Sequence, residues 1–366
     1  MNSRIYSIKL FVLTFLFLSN INSAQFYFSV STDQEYNDNP FNSPTPFSSM
    51  ISSYDLGVEA YIDNFNLGYY GSYTMFSEFS QRNFLWHQFG LWYYSENGSI
   101  TAGLYGEQRI NNDLYNFYDY MDFTGYVKYL FQLEDFYNTL HLNLELTKYD
   151  YFTELNNWLA SVGYKLSRSF ESGTTIIGGG IFSYKNYFDD EIVISSGGNK
   201  TPYTMHLAYF GRIAQSITSR TGLAAQFTNR HILDGTGNYN IQLNQAYGDE
   251  SGLFDDPVSY EGYAFTTELT QILPLEIILK AGYSYNNKDY KYQGIYTGDT
   301  TYTFTTTRFD KQNNLYVGLK KSFPLSETSD TELIVSLRYQ MINNSSNSYW
   351  YKYKSNLIGL NIDLQF

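Results

Sequence analysis

The chain has 366 residues, a formal net charge of −13 and no cysteine. The lack of cysteine excludes disulfides, thiolate-bound zinc and iron–sulfur clusters. The acidic balance argues against nucleic acid as a partner, because phosphate binding needs a basic surface. Aromatic residues make up 19% of the chain and charged residues only 16%, which excludes a disordered chain and is typical of a transmembrane β-barrel.

Residues 1–24 have the layout of a cleaved secretory signal. Arg4 and Lys9 make its start positive, and Leu10–Leu18 is an uninterrupted apolar run of nine residues. This run is too short to cross about 30 Å of hydrocarbon as a helix. We therefore predict an exported chain that is cleaved after residue 24, with a single mature domain over residues 25–366.

The remainder of the chain alternates apolar and polar residues with period two, which predicts β-strands. Leu140, Leu142, Leu144 and Leu146, for example, share one face and have polar residues between them. Strands of soluble sandwiches are usually about five or six residues long. Here the alternation continues for roughly nine to fifteen residues at a time, which is the length that a tilted strand needs to cross a bilayer.

Short turns and longer polar connections alternate along the chain. The seven short turns are predicted at Asp63–Phe65, Glu96–Ser99, Leu133–Tyr137, Glu171–Gly173, Thr218–Thr221, Leu273–Leu275 and Pro324–Asp330. The eight longer loops are predicted at Asn37–Met50, Ser77–Arg82, Asn111–Tyr120, Asp150–Glu154, Phe188–Pro202, Asp234–Val258, Gly294–Arg308 and Asn343–Ser348. These connections predict one all-β, antiparallel up-and-down barrel of about sixteen strands (14–18). An even count puts both termini on the side of the short turns, which is periplasmic in outer-membrane barrels.

The last strand carries the most specific motif. The chain ends SNLIGLNIDLQF, in which alternate positions are apolar and the last is aromatic: Ile358, Leu360, Ile362, Leu364 and Phe366. This ending resembles the C-terminal β-signal of bacterial outer-membrane proteins, which the barrel-assembly machinery reads. The chain is similar to porin-like barrels in layout only, without a motif of any specific family. The resemblance implies an integral outer-membrane protein, with outer-membrane lipids and the assembly machinery as partners.

Aromatic residues cluster near the ends of several predicted strands. The clusters are Phe84, Trp86, Trp92, Tyr93 and Tyr94, then Tyr126, Tyr129 and Phe131, and finally Tyr349, Trp350, Tyr351 and Tyr353. Rings at the strand ends of a membrane barrel lie at the level of the lipid headgroups. We therefore expect these clusters to form aromatic girdles on the outer surface.

Charged residues within the strands are expected to face the lumen, because Arg or Lys on the lipid face costs about 2–4 kcal/mol at the bilayer midplane. The lumen-facing candidates are Arg109, Lys128, Lys165, Arg212, Arg230, Lys280, Lys320, Arg338, Glu59, Glu107, Glu145, Glu268, Glu332 and Asp363. The presence of both positive and negative side chains in the lumen is consistent with a water-filled pore. It is equally consistent with a network of paired charges that closes a narrow barrel. Arg212 and Arg230 are expected about three residues apart along the wall, as separate members of a positive stripe.

Acidic side chains concentrate in three segments predicted as loops: Asp33, Glu35 and Asp38; Asp189, Asp190 and Glu191; and Asp249, Glu250, Asp255 and Asp256. Carboxylates at this density could bind Ca²⁺ or attract cations toward a pore mouth. They could equally be ordinary solvated loops. No other cofactor is expected.

Nothing in the sequence indicates catalysis. The four histidines have no metal-ligand spacing, and no nucleophile or phosphate-loop motif is present. We therefore predict no catalytic, cofactor-binding or metal-binding residues and no enzymatic activity. The leading hypothesis is a porin-like channel for passive diffusion of small hydrophilic solutes. The alternative is a structural barrel with a closed lumen that anchors a surface or secretion assembly, and an outer-membrane enzyme is the least favoured hypothesis.

Overall fold

The computed structural model describes residues 25–188, 202–235, 258–326 and 331–366. Its strands are β1 (Gln25–Asn37), β2 (Ser49–Ile62), β3 (Phe65–Phe76), β4 (Phe84–Tyr94), β5 (Ile100–Asn111), β6 (Tyr120–Leu133), β7 (Phe136–Tyr149), β8 (Asn157–Ser169), β9 (Thr174–Tyr187), β10 (Tyr203–Thr218), β11 (Thr221–Gly235), β12 (Glu261–Ile272), β13 (Ile278–Tyr290), β14 (Ile295–Tyr296), β15 (Tyr302–Thr303), β16 (Arg308–Pro324), β17 (Glu332–Ser346) and β18 (Tyr353–Gln365). The described connections contain short 3₁₀ helices at Ser80–Arg82, Asp113–Tyr118, Thr153–Leu155, Pro274–Glu276 and Tyr349–Tyr351. In these described ranges, no helix is both long and apolar enough to cross a membrane.

Sixteen long strands form one closed antiparallel barrel in which each strand pairs with its neighbours in chain order. Strands β14 and β15 are a small separate hairpin within the connection between β13 and β16. The barrel strands run from 11 residues in β4 to 17 in β16. The prediction of an all-β, up-and-down barrel of about sixteen strands is confirmed.

The two ends of the barrel differ in their connections. Seven short turns lie at one end, called here the turn end, and the tightest of them consist of residues 63–64, 134–135 and 219–220. Asp63 and Glu134 adopt the left-handed conformation there, with φ of 50° and 52°. The eight longer connections lie at the other end, called here the loop end. The predicted signal, two of the three acidic segments and most of the loop predicted at Asp234–Val258 lie outside the described residues.

The last residue of the chain completes the seam that closes the barrel. β1 pairs with β18 from Ser29 opposite Gln365 to Asn37 opposite Leu357. Beyond this ladder, the Phe366 N–H donates to the Phe28 carbonyl (3.0 Å) and the Phe28 N–H donates to the Phe366 carbonyl (2.8 Å). The two rings stack with centroids 5.7 Å apart. Phe366 therefore adds the final pair of backbone hydrogen bonds to the seam.

Candidate functional site: the inner wall of the barrel

The strand register separates an apolar outer face from a polar inner face. Leu104, Leu144 and Ile213 are 65%, 56% and 51% exposed, although each lies in the middle of a paired strand. Side chains alternate between the two faces of a strand, so the residues between these apolar positions point into the barrel. The inner face lines the interior of the barrel, where a solute within it would make contact, and it is the candidate site.

The charged strand residues that the sequence predicts on the lumen side all lie on this inner face in the observed register. Lys128 is directly opposite His141 on the neighbouring strand, and Glu107 is directly opposite Asp122. What these residues do to a solute stays a prediction. Their side-chain contacts, however, divide them into paired and unpaired groups.

Arg338 lies between two carboxylates of β1. It donates to both oxygens of Asp33 and, through Nη2, to Glu35 Oε2 at 2.7 Å. The prediction that Asp33 and Glu35 belong to an acidic loop is wrong, because both are inner-face residues of β1 whose charges Arg338 balances. Asp38 does follow the strand, and it accepts hydrogen bonds from the backbone N (2.6 Å) and Nδ2 (2.7 Å) of Asn356.

No calcium site is visible in the part of the chain that the structure describes. There, no three His, Asp or Glu side chains lie close enough together to hold a metal ion. The acidic segments at 189–191 and 249–256 lie outside the described residues. A Ca²⁺ site in those two segments stays a prediction.

Arg212 and Arg230 do not form the expected stripe of two similar cations. They are four residues apart along the wall rather than three, because the pairing of β10 with β11 is irregular next to their turn. Arg212 Nη2 also lies 3.4 Å from Glu268 Oε1, and Glu268 accepts a hydrogen bond from Tyr316 (3.2 Å). Arg230 instead lies 5.5 Å from the centroid of the Tyr260 ring.

Four inner-face lysines have no carboxylate within ion-pair distance among the described residues: Lys128, Lys165, Lys280 and Lys320. All four are exposed and lie in the half of the barrel nearer the turn end. Lys280 is opposite Gly318, so Lys320 is its diagonal neighbour on the next strand. These lysines are the uncompensated positive charges of the described wall near the turn end.

Three connections converge on the inner wall at the loop end. The Arg82 guanidinium, in the connection between β3 and β4, is 4.0 Å from the Phe41 ring centroid and 4.4 Å from the Tyr115 centroid. Phe41 belongs to the β1–β2 connection and Tyr115 to the β5–β6 connection. Arg109, on the inner face, lies similarly 4.0 Å from the Phe84 ring. The Arg82 contacts join the three loops to one another, and Phe41 also packs against Phe76 on the inner face of β3, with ring centroids 5.4 Å apart.

A second buried cluster lies at the loop end between β13, β16 and the loop before β18. The Arg308 guanidinium lies between two rings, 3.9 Å from the Tyr290 centroid and 3.3 Å from the Tyr351 centroid. It donates to both carboxylate oxygens of Asp310 and to Gln293 Oε1 (3.2 Å). Arg308 is 5% exposed and Asp310 1%. This pair is not among the residues predicted from the sequence, although an Arg and an Asp two residues apart share one strand face.

The aromatic clusters do not all form girdles on the outer surface. Trp86 is opposite Arg109, and Trp92 is opposite Gly103, so both indoles lie on the inner face. Tyr126 also points inward, whereas Tyr129 is 44% exposed on the outer face. The girdle expectation is therefore wrong for the inward rings. The reason is geometric, because adjacent aromatic residues in one strand cannot share a face.

The architecture is that of a transmembrane-type β-barrel, with an apolar exterior and a polar, charged interior. No protein-family model and no curated protein matches the sequence. The fold is similar to that of OccAB1 of Acinetobacter baumannii (9% identity, 94% of this chain and 97% of that chain, TM-score 0.55). It is also similar to that of OpdK of Pseudomonas aeruginosa (7% identity, 93% of this chain and 99% of that chain, TM-score 0.52). A BenF-like porin of Pseudomonas fluorescens Pf-5 has a similar fold too (7% identity, 94% of this chain and 100% of that chain, TM-score 0.54). At these identities the likeness is one of fold.

Proposed function

We propose that the chain is a porin-like channel of the bacterial outer membrane through which small hydrophilic solutes diffuse passively. The observation that carries this proposal is the closed sixteen-stranded barrel with an apolar outer face and a charged inner face. A barrel of this strand number encloses more space than its own side chains fill. One barrel of similar fold is named a porin, and another, OpdK, has a structure with vanillate.

Several features of the chain support insertion into the outer membrane. The signal-like segment 1–24 supports export through the periplasm, and the apolar ladder that ends at Phe366 supports recognition by the barrel-assembly machinery. The exposed apolar side chains of the outer face support contact with outer-membrane lipids. We further propose that the turn end, with both termini of the mature chain, faces the periplasm.

A structural barrel with a closed lumen is the second candidate function. The packing of Arg82 and Arg308 against aromatic rings at the loop end favours it, because loops that pack against the inner wall narrow the path for a solute. Such a barrel would anchor a surface or secretion assembly rather than pass solutes. The two candidates differ in whether solute crosses the barrel.

Swelling of proteoliposomes in isotonic solutes distinguishes these candidates. The purified barrel is reconstituted and transferred into solutes of increasing size, from glycine to a trisaccharide. A diffusion channel should admit glycine fastest and the trisaccharide slowest, well above protein-free liposomes. Swelling no faster than in protein-free liposomes for every solute, with a folded barrel in the membrane, would support the closed barrel instead.

The proposed orientation is tested by epitope insertion. A tag inserted near Gly248, in a loop-end connection, should bind antibody on intact cells. The same tag inserted in Pro324–Asp330, at the turn end, should bind only after the outer membrane is permeabilised. Heat-modifiable migration controls for folding of both variants. The reverse labelling pattern would invert the proposed topology.

The unpaired lysines are expected to influence which ions the channel prefers. Lys320→Gln should shift the reversal potential across a salt gradient toward cations, by roughly twofold in permeability ratio, since one charge about 10 Å away in water contributes about 0.4 kcal/mol. Lys321 is the matched control, because it is the next residue on the opposite face and donates to the Leu275 carbonyl (2.5 Å). Lys321→Gln should leave the ratio unchanged. Equal shifts of the reversal potential in both variants would show that Lys320 does not influence the permeating ions.

A further inference from the structure

We propose that the inner wall near the turn end carries a binding strip for neutral oligosaccharides. This inference rests on the proposed channel function, and it specifies the class of solute that the channel favours. The strip consists of the rings of Tyr70, Trp92 and Tyr126, bordered by Glu59 and Asn66. These residues come from β2, β3, β4 and β6, and all lie on the inner face.

The rings of the strip lie along the wall rather than across the lumen. A Cβ added to Gly90 would lie 2.2 Å from Cη2 of Trp92, and one added to Gly68 would lie 2.8 Å from its Cζ3. A Cβ added to Gly103 would lie 2.5 Å from Cε1 of Tyr126. The absence of side chains at these glycines lets each ring rest on the backbone. Trp92 and Tyr126 nevertheless remain partly exposed. Lys128 Nζ lies over the Tyr126 ring, so a ligand at that ring would also meet the ammonium group.

The three rings are neighbours along the wall. The centroids of Tyr70 and Trp92 are 6.5 Å apart and their planes meet at 68°, so the two rings are in edge-to-face contact. Trp92 and Tyr126 both lie opposite Gly103, on either side of β5, so their backbones are about 10 Å apart at the usual strand spacing. A row of rings of this length, although its rings are not coplanar, can contact several linked sugar units at once, as a linear oligosaccharide would present them.

Acceptor oxygens border one side of the strip. The Glu59 carboxylate accepts hydrogen bonds from Tyr61 Oη (2.6 Å), Asn66 Nδ2 (2.8 Å) and the Tyr70 hydroxyl. A carboxylate has about four acceptor positions, so one is left for a ligand. The Oδ1 atom of buried Asn66 has no hydrogen-bond partner among the described residues. The side of the strip therefore offers one acceptor, the Glu59 carboxylate, which three protein donors hold in place, whereas Asn66 Oδ1 is buried from solvent.

This combination matches the chemistry of a sugar. A pyranose has apolar C–H faces that pack on the electron-rich face of an aromatic ring, and its rim carries hydroxyl donors for fixed acceptors. The charges at the two ends of the strip favour a neutral ligand. Glu59 lies at one end. At the other end, Lys128 Nζ lies 4.8 Å from the centroid of the Tyr126 ring. An organic acid would be attracted by Lys128 but repelled by Glu59.

Calorimetric titration of the detergent-solubilised full chain with a linear α-1,4-linked glucose hexasaccharide tests the strip. We expect saturable binding that Trp92→Leu and Tyr126→Leu each weaken about three- to tenfold, the loss expected for one ring contact. Tyr316→Leu is the matched control, because the Tyr316 ring also lies over an inner-face glycine, Gly282, but on β16. It should bind as the parent does. If a leucine variant does not fold, Trp92→Phe, which keeps a smaller ring, should show a lesser loss.

The proposed strip is contradicted if the parent barrel does not bind the hexasaccharide, if the control loses as much affinity as the strip variants, or if vanillate binds and the sugar does not. The conductance of the same protein in a planar bilayer separates this inference from the channel proposal. Conductance without sugar binding would support the channel proposal and contradict the binding strip. Sugar binding without conductance would support the binding strip and contradict the channel proposal.

Discussion

Replacing Asp310 with alanine is expected to destabilise the barrel by about 3–5 kcal/mol, the usual cost of leaving one charge of a buried ion pair without its partner. Arg308 would keep its charge between the Tyr290 and Tyr351 rings but would lose the carboxylate that neutralises it. Among the described residues, the acceptor that its guanidinium would keep is the neutral side-chain amide oxygen of Gln293. Urea unfolding in lipid vesicles, followed by tryptophan fluorescence, measures the change in the free energy of unfolding.

Two controls make this result specific. Asp135→Ala breaks the pair of Asp135 with Arg168, in which the aspartate side chain is 70% exposed, and should cost at most about 1 kcal/mol. The double variant Arg308→Met/Asp310→Leu replaces the buried pair with apolar groups and should recover most of the lost stability. If Asp310→Ala cost no more than Asp135→Ala, the buried cluster at the loop end would not be formed.

Replacing Phe366 with aspartate is expected to abolish most assembly of the barrel in the outer membrane. The substitution removes the ring that stacks on Phe28 at the seam and the terminal aromatic residue of the apolar ladder. Deleting Phe366 should have a similar effect, because it also removes two backbone hydrogen bonds of the seam. The folded fraction is measured by heat-modifiable migration and by protease protection of membrane fractions.

Phe323→Asp is the matched control for the seam. Phe323 is also exposed on the outer face near the turn end, but it lies in β16, opposite Leu333 of β17 and away from the seam. A carboxylate on the outer wall alone should therefore cost less assembly than one at Phe366. Normal folded yield of Phe366→Asp, or equal loss in both variants, would contradict a special role for the last residue.

The barrel could be predicted because its signals are local. Alternation within each strand, as in Leu140–Leu146, fixes which residues share a face, and the turn residues between strands separate one strand from the next. Counting these turns yields the strand number. The same local reasoning puts Arg338 and Glu268 on the inner face.

The contacts at the loop end could not be predicted, because they depend on which connections meet. Phe41, Arg82 and Tyr115 are far apart in the sequence and come together only when the barrel closes. The spacing of Arg212 and Arg230 differs from the expected one by one residue, because an irregularity in a strand pair leaves no clear mark in the sequence.

The inward position of Trp92 was predictable in principle. Phe89 and Leu91 lie on the outer face of the same strand, and Trp92, as the next residue after Leu91, therefore faces inward. The glycines beneath the ring are on the inner phase of their own strands. Their pairing with Trp92, however, requires the register between strands, which the sequence does not state.

Single-channel recording in a planar bilayer tests the central claim most directly. The purified, folded barrel should insert in discrete steps of equal conductance that rise with salt concentration, because ions would cross a water-filled interior. The preference for cations over anions should depend on salt, since charges at a pore mouth are screened within about 10 Å at 0.1 M. A barrel that inserts in its folded, heat-modifiable form but passes no current would contradict the channel and favour a closed structural barrel.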